Sequence, residues 1–259
     1  MSRQEAADLL FQHWQAGTLI DGLPIDLRPA TRAEGYAIQA CLATKSRQPL
    51  FGWKIAATSK AGQAHINVDG PLAGCLLAER VIALGRAASI GANQMLVAEP
   101  EFAFRMARDL PPRDSLYSVD EVMAAVAALH LAIEIPDSRY TEFVSVGAAQ
   151  LIADNACAHE FILGPEAPAI WRDLDLVSHK VTGTVVGKMT RDGSGAAVLG
   201  DPRIAMAWLA NELAQLGITL QAGQVVTTGT CMVPLPIGPG DTVTVDYGTL
   251  GRMSATFVA

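Results

Sequence analysis

Three glutamates in two short apolar segments are the residues of this chain whose type and spacing most clearly favour chemistry. Glu99 and Glu101 lie two positions apart in LVAEPEFAFRM, residues 96–106, and Glu134 lies in LHLAIEIP. Alternate side chains of a β-strand share a face, so Glu99 and Glu101 would point to the same side. Two carboxylates that close repel each other, and burying them costs free energy unless their charge is compensated.

A divalent cation would compensate that charge. Three carboxylates suit a hard metal such as Mg²⁺ or Mn²⁺, which prefers oxygen ligands in octahedral geometry and would keep positions open for water and substrate. The alternative is that all three glutamates lie on solvated outer faces of their strands. The spacing alone does not decide between these interpretations.

Alternating apolar residues predict the strands that would position the glutamates. Phe102 and Phe104 alternate with the acids of the first segment and predict a core face on its other side. Ile133 alternates with Glu134 in the same way. Pro100 removes one backbone donor, so the first strand is expected at a sheet edge or at a β-bulge.

Helix signals occur at four places along the chain. Three segments have the spacing of a capping box, namely Ser2–Glu5, Thr31–Glu34 and Ser118–Glu121. Asp201 before Pro202 predicts a fourth helix start, and Gly217 would end that helix. We therefore expect two helices in the first 45 or so residues and two more over about 118–129 and 202–216.

Outside these helices, the chain from about residue 50 is predicted to form β-strands. From about residue 50, short β-rich runs such as HLAIEIP, KVTGTVVG and DTVTVDYG are separated by glycine and proline turns. Because strands and helices do not alternate regularly, a doubly wound parallel sheet is not expected. We predict an α+β fold, with a mixed β-roll or barrel as the catalytic domain in 51–259 and a small helical N-terminal region in 1–50.

The composition indicates the size class, the cellular compartment and the kind of partner to expect. The chain has 259 residues, half of them hydrophobic, and a net charge of −7, which suits one domain with at most a small appendage. No stretch reaches the roughly 18 apolar residues of a membrane span, and the acidic N-terminus is not typical of a signal peptide. The four cysteines lie far apart without a CxxC pair, which indicates a reduced, cytoplasmic protein. The acidic balance makes nucleic acid an unexpected partner.

Seven segments in a fixed order carry a resemblance to a known family. They are GWKIAATSKAGQ, VDGPLAG, VAEPEFAF, AIEIPDSRY, ADNACAHEFILG, GSGAAVLGDPRIAMAWLANELAQLG and VVTTGTCMVPLPIGPGDTVTVDYGTLG. Together they resemble the 2-keto-4-pentenoate hydratase and 4-oxalocrotonate decarboxylase family, within the fumarylacetoacetate hydrolase superfamily. The resemblance covers nearly the whole chain from about residue 30. It implies the mixed β-roll of the fumarylacetoacetate hydrolase C-terminal type, with Glu99, Glu101 and Glu134 as ligands of Mg²⁺ or Mn²⁺.

The same resemblance implies roles for five further residues. Lys54 matches an active-site lysine that would hold a carboxylate or enolate, or move a proton. Asp69 matches an acid that would donate a proton or orient water. Asn155, Thr230 and His65 match positions near the substrate. The alternatives are a surface lysine, a turn aspartate, and polar side chains that bond to loop backbone or serve only structure.

The implied reaction is metal-dependent hydration of 2-hydroxypenta-2,4-dienoate (2-oxopent-4-enoate) to 4-hydroxy-2-oxopentanoate, a step of aromatic catabolism. An alternative is decarboxylation of 4-oxalocrotonate (2-oxohex-3-enedioate), which would benefit from a second basic residue such as Lys60 or Arg139. An alternative of another class is a non-catalytic partner subunit of such an enzyme. The family also implies a homo-oligomer, with association to a downstream aldolase or a sister lyase as a further option.

Overall fold

The computed structural model describes residues 3–259, which form two β-sheets with helices packed around them. The helices are Arg3–Ala16 (α1), Arg32–Ala43 (α2), Lys60–His65 (α3), Val119–Met123 (α4), Ala148–Ala153 (α5) and Pro202–Gln215 (α6). The strands are Gly52–Ala56 (β1), Leu72–Leu76 (β2), Val81–Ile82 (β3), Ala88–Ser89 (β4), Val97–Met106 (β5), Val126–Ile135 (β6), Glu160–Glu166 (β7), Lys180–Val185 (β8), Met189–Ser194 (β9), Val225–Thr230 (β10), Leu235–Pro236 (β11), Thr242–Asp246 (β12) and Arg252–Val258 (β13).

Both sheets mix parallel and antiparallel pairs. The larger has the order β2-β1-β10-β5-β6-β7-β3, with β11 paired to β5, and the smaller has the order β4-β13-β12-β8-β9. Pairs β1–β10, β3–β7 and β4–β13 are parallel, and the remaining pairs are antiparallel. This confirms the α+β mixed-sheet prediction.

Most of the predicted helix starts are confirmed. Thr31 and Ser118 each cap a helix within a complete capping box, and the Asp201 side chain accepts a hydrogen bond from the backbone N–H of Arg203. Gly217, in the left-handed region, follows the end of α6. The Ser2–Glu5 box includes Ser2, which lies outside the described residues.

The helix predicted over 118–129 is too long, because α4 ends at Met123. The apolar run that follows pairs on both sides, with β5 and with β7, as strand β6. This pairing on both sides, together with burial of nearly every side chain of the run, means that tertiary context overrides the local preference of its alanines for helix. The short helices α3 and α5 have no capping box in the sequence and were not predicted.

The two faces of the large sheet have different contents. One face packs into the main hydrophobic core and carries the predicted core residues, Phe102, Phe104, Leu131, Ile133 and Ile135. The other face carries the glutamates at one end and, beside them, a small separate cluster of buried apolar residues, Leu76, Ala103, Ala132, Phe161 and Val225. The sheet therefore separates the bulk of the core from the acids.

Pro100 lies in the middle of the large sheet. Strand β5 pairs with β6 on one side and with β10 and β11 on the other, so the expected sheet edge is wrong. The register between β5 and β10 does shift between Thr227 and Thr230, but the extra residue lies on β10, opposite Phe102 of β5. The backbone N–H of Cys231 donates to the carbonyl of Pro100 at 2.8 Å.

The N-terminal helices share the main core. Leu10 of α1 and Leu42 of α2 are fully buried in it together with residues of the sheets. Helix α2 also packs against α5. The boundary between a helical region in 1–50 and a catalytic domain in 51–259 stays a prediction. Within residues 3–259, every helix is too short or too polar to cross a bilayer, and all four cysteines are free thiols.

Candidate active site

The three glutamates meet on one face of the large sheet. Glu99 on β5 is directly opposite Glu134 on β6, and Glu101 is opposite Ala132. One oxygen from each carboxylate can be chosen so that all three lie within 4.8 Å of one another. Glu101 and Glu134 are buried, whereas Glu99 is partly exposed. The alternative of solvated outer faces is therefore wrong for the two buried acids.

Strand β10 orients the Glu101 carboxylate. Its Oε2 accepts hydrogen bonds from the Thr227 hydroxyl and from the backbone N–H of Gly229, the latter at 2.7 Å. Gly229 belongs to the bulge and has φ of +105°, and a Cβ there would lie 2.1 Å from Thr58 Oγ1. The other oxygen, Oε1, has no hydrogen-bond partner among the described residues. Glu101 thus has one oxygen held in place and one free to coordinate.

Lys54 on β1 lies beside Glu134. Its Nζ is 3.0 Å from Glu134 Oε1 and donates a hydrogen bond to the carbonyl of Ala156 at 2.9 Å. Within the described part of the chain, neither oxygen of Glu134 accepts a hydrogen bond of good geometry. A charged and buried carboxylate in that state is costly, and the cost indicates a missing ligand.

The pKa shifts in the cluster also indicate that its negative charge is not fully compensated. Burial raises the pKa of Glu99 to about 7, with the Glu134 carboxylate adding to the rise and Lys54 opposing it. Burial and the other two carboxylates raise the pKa of Glu101 well above its ordinary value, and burial raises the pKa of Glu134 although Lys54 opposes it. Burial acts to lower the pKa of Lys54, but the nearby carboxylates outweigh it and the pKa is raised. One ammonium faces three acids.

These residues fit a divalent metal ion. Three carboxylates with at least three unpartnered oxygens, converging within 4.8 Å, form an all-oxygen donor set of the kind that Mg²⁺ uses. The cation would compensate charge that the single ammonium of Lys54 leaves uncompensated. We therefore consider Glu99, Glu101 and Glu134 a candidate metal centre.

A cavity of about 740 Å³ opens beside this centre. Lys54 and Glu99 line it at the base, and its walls come from α3, from β9 and from the segment that follows β10. His65 and Thr230 both lie in its lining. His65 is exposed and its ring meets the Phe143 ring edge-on at 6.2 Å, while the Thr230 hydroxyl donates to the carbonyl of Met232 at 2.8 Å. Contact of either side chain with a substrate stays a prediction.

Asn155 is buried next to the cavity but is not part of its lining. Its Oδ1 accepts from the backbone N–H of Cys75 at 2.7 Å, and its Nδ2 donates to the carbonyl of the same residue at 2.9 Å. Asn155, Ala156 and Cys157 are three consecutive left-handed residues, with φ of 56°, 52° and 60°. In this strained turn the carbonyl of Ala156 accepts from Lys54. The location of Asn155 favours a role in positioning Lys54 over substrate contact.

Asp69 lies apart from Lys54. Its side chain is 87% exposed, and Oδ1 lies 3.6 Å from Arg32 Nη1. It lines a different groove, together with Arg28 and Arg32. The structure thus brings together Lys54, the three glutamates, His65 and Thr230, but not Asp69. A direct role for Asp69 in proton transfer stays a prediction and requires the segment after α3 to move.

The residues that orient Glu101 were not predicted from the sequence. Thr227 and Gly229 lie in QVVTTGT, where a threonine-rich strand was the only signal. Neither basic candidate for a second substrate carboxylate lines the cavity. Arg139 pairs with Asp154 in another part of the core, and Lys60 donates to Gln63 Oε1 at 3.2 Å.

The sequence of this chain is similar to those of known enzymes. Residues 53–258 match the model of the fumarylacetoacetate (FAA) hydrolase C-terminal family. The chain is 33% identical over 262 residues to 2-keto-4-pentenoate hydratase 1 of Dechloromonas aromatica, covering 99% of this chain and 97% of the relative. It is 30% identical over 236 residues to 4-oxalocrotonate decarboxylase of a Pseudomonas species, covering 90% and 88%.

A solved structure shares the whole fold. It is a 4-oxalocrotonate decarboxylase from Pseudomonas putida complexed with magnesium and adipate, with 28% identity, a TM-score of 0.89, and coverage of 99% of this chain and 97% of that one. Its magnesium agrees with the all-oxygen character of the centre described above. The match to the family model and these full-length relatives establish that the chain belongs to the fumarylacetoacetate hydrolase family of enzymes.

Proposed function

We propose that this chain is a Mg²⁺-dependent hydratase that converts 2-hydroxypenta-2,4-dienoate to 4-hydroxy-2-oxopentanoate. The observation that carries the proposal is the buried cluster of Glu99, Glu101 and Glu134, with Lys54 beside it at the base of a cavity. The full-length similarity to a 2-keto-4-pentenoate hydratase supports the same reaction. Mn²⁺ is the alternative metal, because it accepts the same oxygen ligands.

Each residue of the centre has a defined task in this proposal. The three glutamates would hold the cation, which supplies Lewis-acid stabilisation of negative charge on the substrate's C2 oxygen. Lys54 places a positive charge beside the same end of the substrate, where it holds the C1 carboxylate or moves a proton. Thr227 and Gly229 keep Glu101 in orientation by fixing its Oε2.

The remaining steps are proton and water transfer. Protonation of the dienol at C5 gives a 2-oxo acid conjugated at C3–C4, and water then adds at C4. The attacking water needs a polar neighbour. His65 lies in the cavity lining and is the candidate there, and Asp69 would join it only after movement of its segment.

The content of the cavity favours hydration over decarboxylation. A 2-oxohex-3-enedioate carries a second carboxylate, which a fixed positive charge would bind. Among the described residues that line the cavity, Lys54 and His65 are the only side chains able to carry positive charge, and the proposal already assigns Lys54, beside Glu134, to the C1 end of the substrate. The decarboxylase stays the second candidate because of the similarity in sequence and in structure to 4-oxalocrotonate decarboxylases.

Product analysis of two substrates tests the proposal. The purified protein is given 2-hydroxypenta-2,4-dienoate or 2-oxohex-3-enedioate with Mg²⁺, and with Mn²⁺ in parallel. We expect 4-hydroxy-2-oxopentanoate from the first substrate without release of CO₂. Stoichiometric CO₂ from the second substrate, with the first unchanged, would assign the decarboxylase reaction. Turnover of neither would favour a non-catalytic partner subunit.

We also propose that the protein assembles as a homo-oligomer, as the family resemblance implies. Its mass in solution, measured by light scattering after gel filtration, tests this directly. A monomer at micromolar concentration would contradict it. Association with a downstream aldolase or a sister lyase is a further prediction, which co-purification with the candidate partner tests.

A further inference from the structure

The cavity is large for the substrate proposed above. Its volume of about 740 Å³ lies in the range of roughly 300–1,000 Å³ that holds drug-sized ligands. A pentadienoate has only about eight non-hydrogen atoms and would leave most of that space to water. The excess volume raises the question of which part of a ligand the rest of the cavity contacts.

The polar groups of the site lie towards one end of strand β5. Glu101, Glu99 and Val97 follow one another along the same face of β5, each step covering about 7 Å. Val97 is therefore the next side chain beyond the candidate metal ligands. A substrate whose C1 and C2 oxygens lie at the glutamates and Lys54 directs its C5 end away from them, and Val97 lies on that side.

The wall beyond Glu99 is apolar. Val97 is the first residue of β5 and Met95 precedes the strand, Ile66 follows α3, and Met232 and Val233 follow β10. The Val233 side chain is 68% exposed, which leaves apolar surface at this site open to a ligand.

Asp192 lines the cavity in addition to Glu99, but it does not make this wall polar. Asp192 accepts from the Thr182 hydroxyl at 2.7 Å and pairs with Lys180 at 3.0 Å, so its carboxylate is satisfied by neighbours on β8. A C5 substituent that reaches Val97, Ile66 and Met232 would thus meet methyl, methylene and thioether groups. Burying an added methylene against such a wall contributes favourable transfer free energy, whereas burying an unpaired carboxylate there costs free energy.

We propose that the cavity selects 2-hydroxydienoates with an uncharged, apolar substituent at C5, an alkyl chain of several carbons or an aromatic ring. The proposal rests on the proposed function, because it assumes that the 2-oxo acid end lies at Lys54 and the glutamates. It assigns to Val97, Ile66, Met232 and Val233 the recognition of the far end of the substrate.

A series of substrates of increasing length tests the proposal by kinetics. Hydration of 2-hydroxypenta-, hexa-, hepta- and octa-2,4-dienoate is compared with Mg²⁺ present. We expect kcat/KM to rise about fourfold for each added methylene, the ratio that corresponds to ~0.8 kcal/mol per buried methylene. A value of kcat/KM that is flat or falls along the series would overturn the proposal.

Binding of unreactive ligands separates this proposal from the proposed reaction. Calorimetry with Mg²⁺ compares 2-oxooctanoate with 2-oxooctanedioate, which has the same length and a second carboxylate. We expect 2-oxooctanoate to bind at least about tenfold tighter. This preference without hydration of any dienoate would support the apolar subsite and reject only the hydratase. Equal affinity, or tighter binding of the dioate, would reject the subsite whatever the reaction proves to be.

A charged variant of the wall provides a second test. Val97→Arg should reverse the preference in favour of the dioate, since it places a guanidinium where the second carboxylate ends. The matched control is Val186→Arg, at an exposed position in the β8–β9 turn outside the cavity lining, which should keep the wild-type preference. A Val97→Arg protein that is folded, as judged by its thermal unfolding, and keeps the wild-type preference would also overturn the proposal.

Discussion

Two buried clusters of charge in this protein have opposite characters. In the first, Arg139 pairs with Asp154, and both side chains are almost completely buried. Asp154 also accepts hydrogen bonds from the Ser138 hydroxyl at 2.7 Å and from the backbone N–H of Arg139 at 3.0 Å. One positive and one negative charge are balanced, and the lone pairs of the acid are used.

The second cluster is balanced neither in charge nor in hydrogen bonds. Three glutamates face the single ammonium of Lys54, and both oxygens of Glu134 and one of Glu101 lack hydrogen-bond partners in the described chain. In the sequence, both clusters consist of acidic and basic residues among apolar ones, so the sequence alone does not distinguish them. A satisfied buried pair indicates a structural role, whereas an unsatisfied one indicates a place for a ligand.

Glu101→Gln should have the largest effect on activity. The amide can still accept from Thr227 and Gly229 through its oxygen, but it replaces a charged metal ligand with a neutral one. We expect nearly complete loss of Mg²⁺ affinity and turnover. The metal-free variant should unfold at a higher temperature than the metal-free wild type, because one source of repulsion is gone.

Calorimetric titration with Mg²⁺ and thermal unfolding measure the two effects. The matched control is Glu160→Gln, since Glu160 also has a buried, unpartnered oxygen but lies outside the trio. Its Mg²⁺ affinity should stay that of the wild type. Full activity of thoroughly chelated wild-type protein would contradict the metal centre itself.

Lys54→Ala should leave the fold and the metal site but lower turnover by about 10²–10⁴-fold, the usual range for a positioned proton-transfer group. Lys60→Ala is the control, because Lys60 on α3 donates to Gln63 and does not line the cavity. Steady-state kinetics measure the turnover of both variants, and titration with Mg²⁺ shows whether each still binds the metal. Near-normal kinetics in a metal-binding Lys54→Ala protein would show that Lys54 is a bystander.

Asp154→Asn should act on stability and not on chemistry. It leaves the guanidinium of Arg139 buried without a counter-charge, and breaking such a pair costs about 3–5 kcal/mol. Urea unfolding measures the loss, while the Mg²⁺ affinity of the folded protein should not change. Asp192→Asn removes a largely exposed pair with Lys180, which solvent screens, so its loss of unfolding free energy should be much smaller. Similar losses of unfolding free energy in Asp154→Asn and Asp192→Asn would contradict a structural role for the buried pair.

The smallest expected effect is a pH dependence of the stabilisation by Mg²⁺. The pKa of Glu99 is about 7 in the folded protein, above its ordinary 4.5, so the folded state holds this proton more tightly than the unfolded chain. The tighter binding of this proton stabilises the folded, metal-free protein at low pH. That stabilisation is lost as the pH rises from about 4.5 to about 7. Metal binding needs the ionised form.

The shift of the melting temperature on adding Mg²⁺ should accordingly be larger near pH 8 than near pH 5.5. Thermal unfolding with and without Mg²⁺ at both values measures it, with Glu101→Gln as the variant in which the shift should vanish. An equal shift at both values would contradict the raised pKa as the cause.

Local patterns in the sequence predicted much of the fold and of the centre. The alternation in LVAEPEFAFRM and LHLAIEIP placed the acids opposite a core face, because the period of a strand is a local property. The capping boxes at Thr31 and Ser118 likewise depend only on residues three positions apart. The family resemblance then identified which acids to group together.

Other features depend on contacts between distant parts of the chain. Glu101 is held by Thr227 and Gly229, more than 120 positions away, and only the register of β5 against β10 brings them together. The same pairing puts a bulge of β10 opposite Phe102 and places Pro100 in the middle of the sheet. The left-handed turn at Asn155, held to Cys75, aims a carbonyl at Lys54 in a way that no spacing predicts.

The sequence by itself therefore determined which residues could bind a metal and on which face of their strands they lie, since side-chain alternation follows from the backbone of one strand. The tertiary structure alone decided which acids are left without partners, where Asp69 lies, and how the cavity beyond Glu99 is lined. The physical reason is that burial, hydrogen-bond satisfaction and cavity shape are properties of several segments at once, fixed by strand register and packing between residues far apart in the chain.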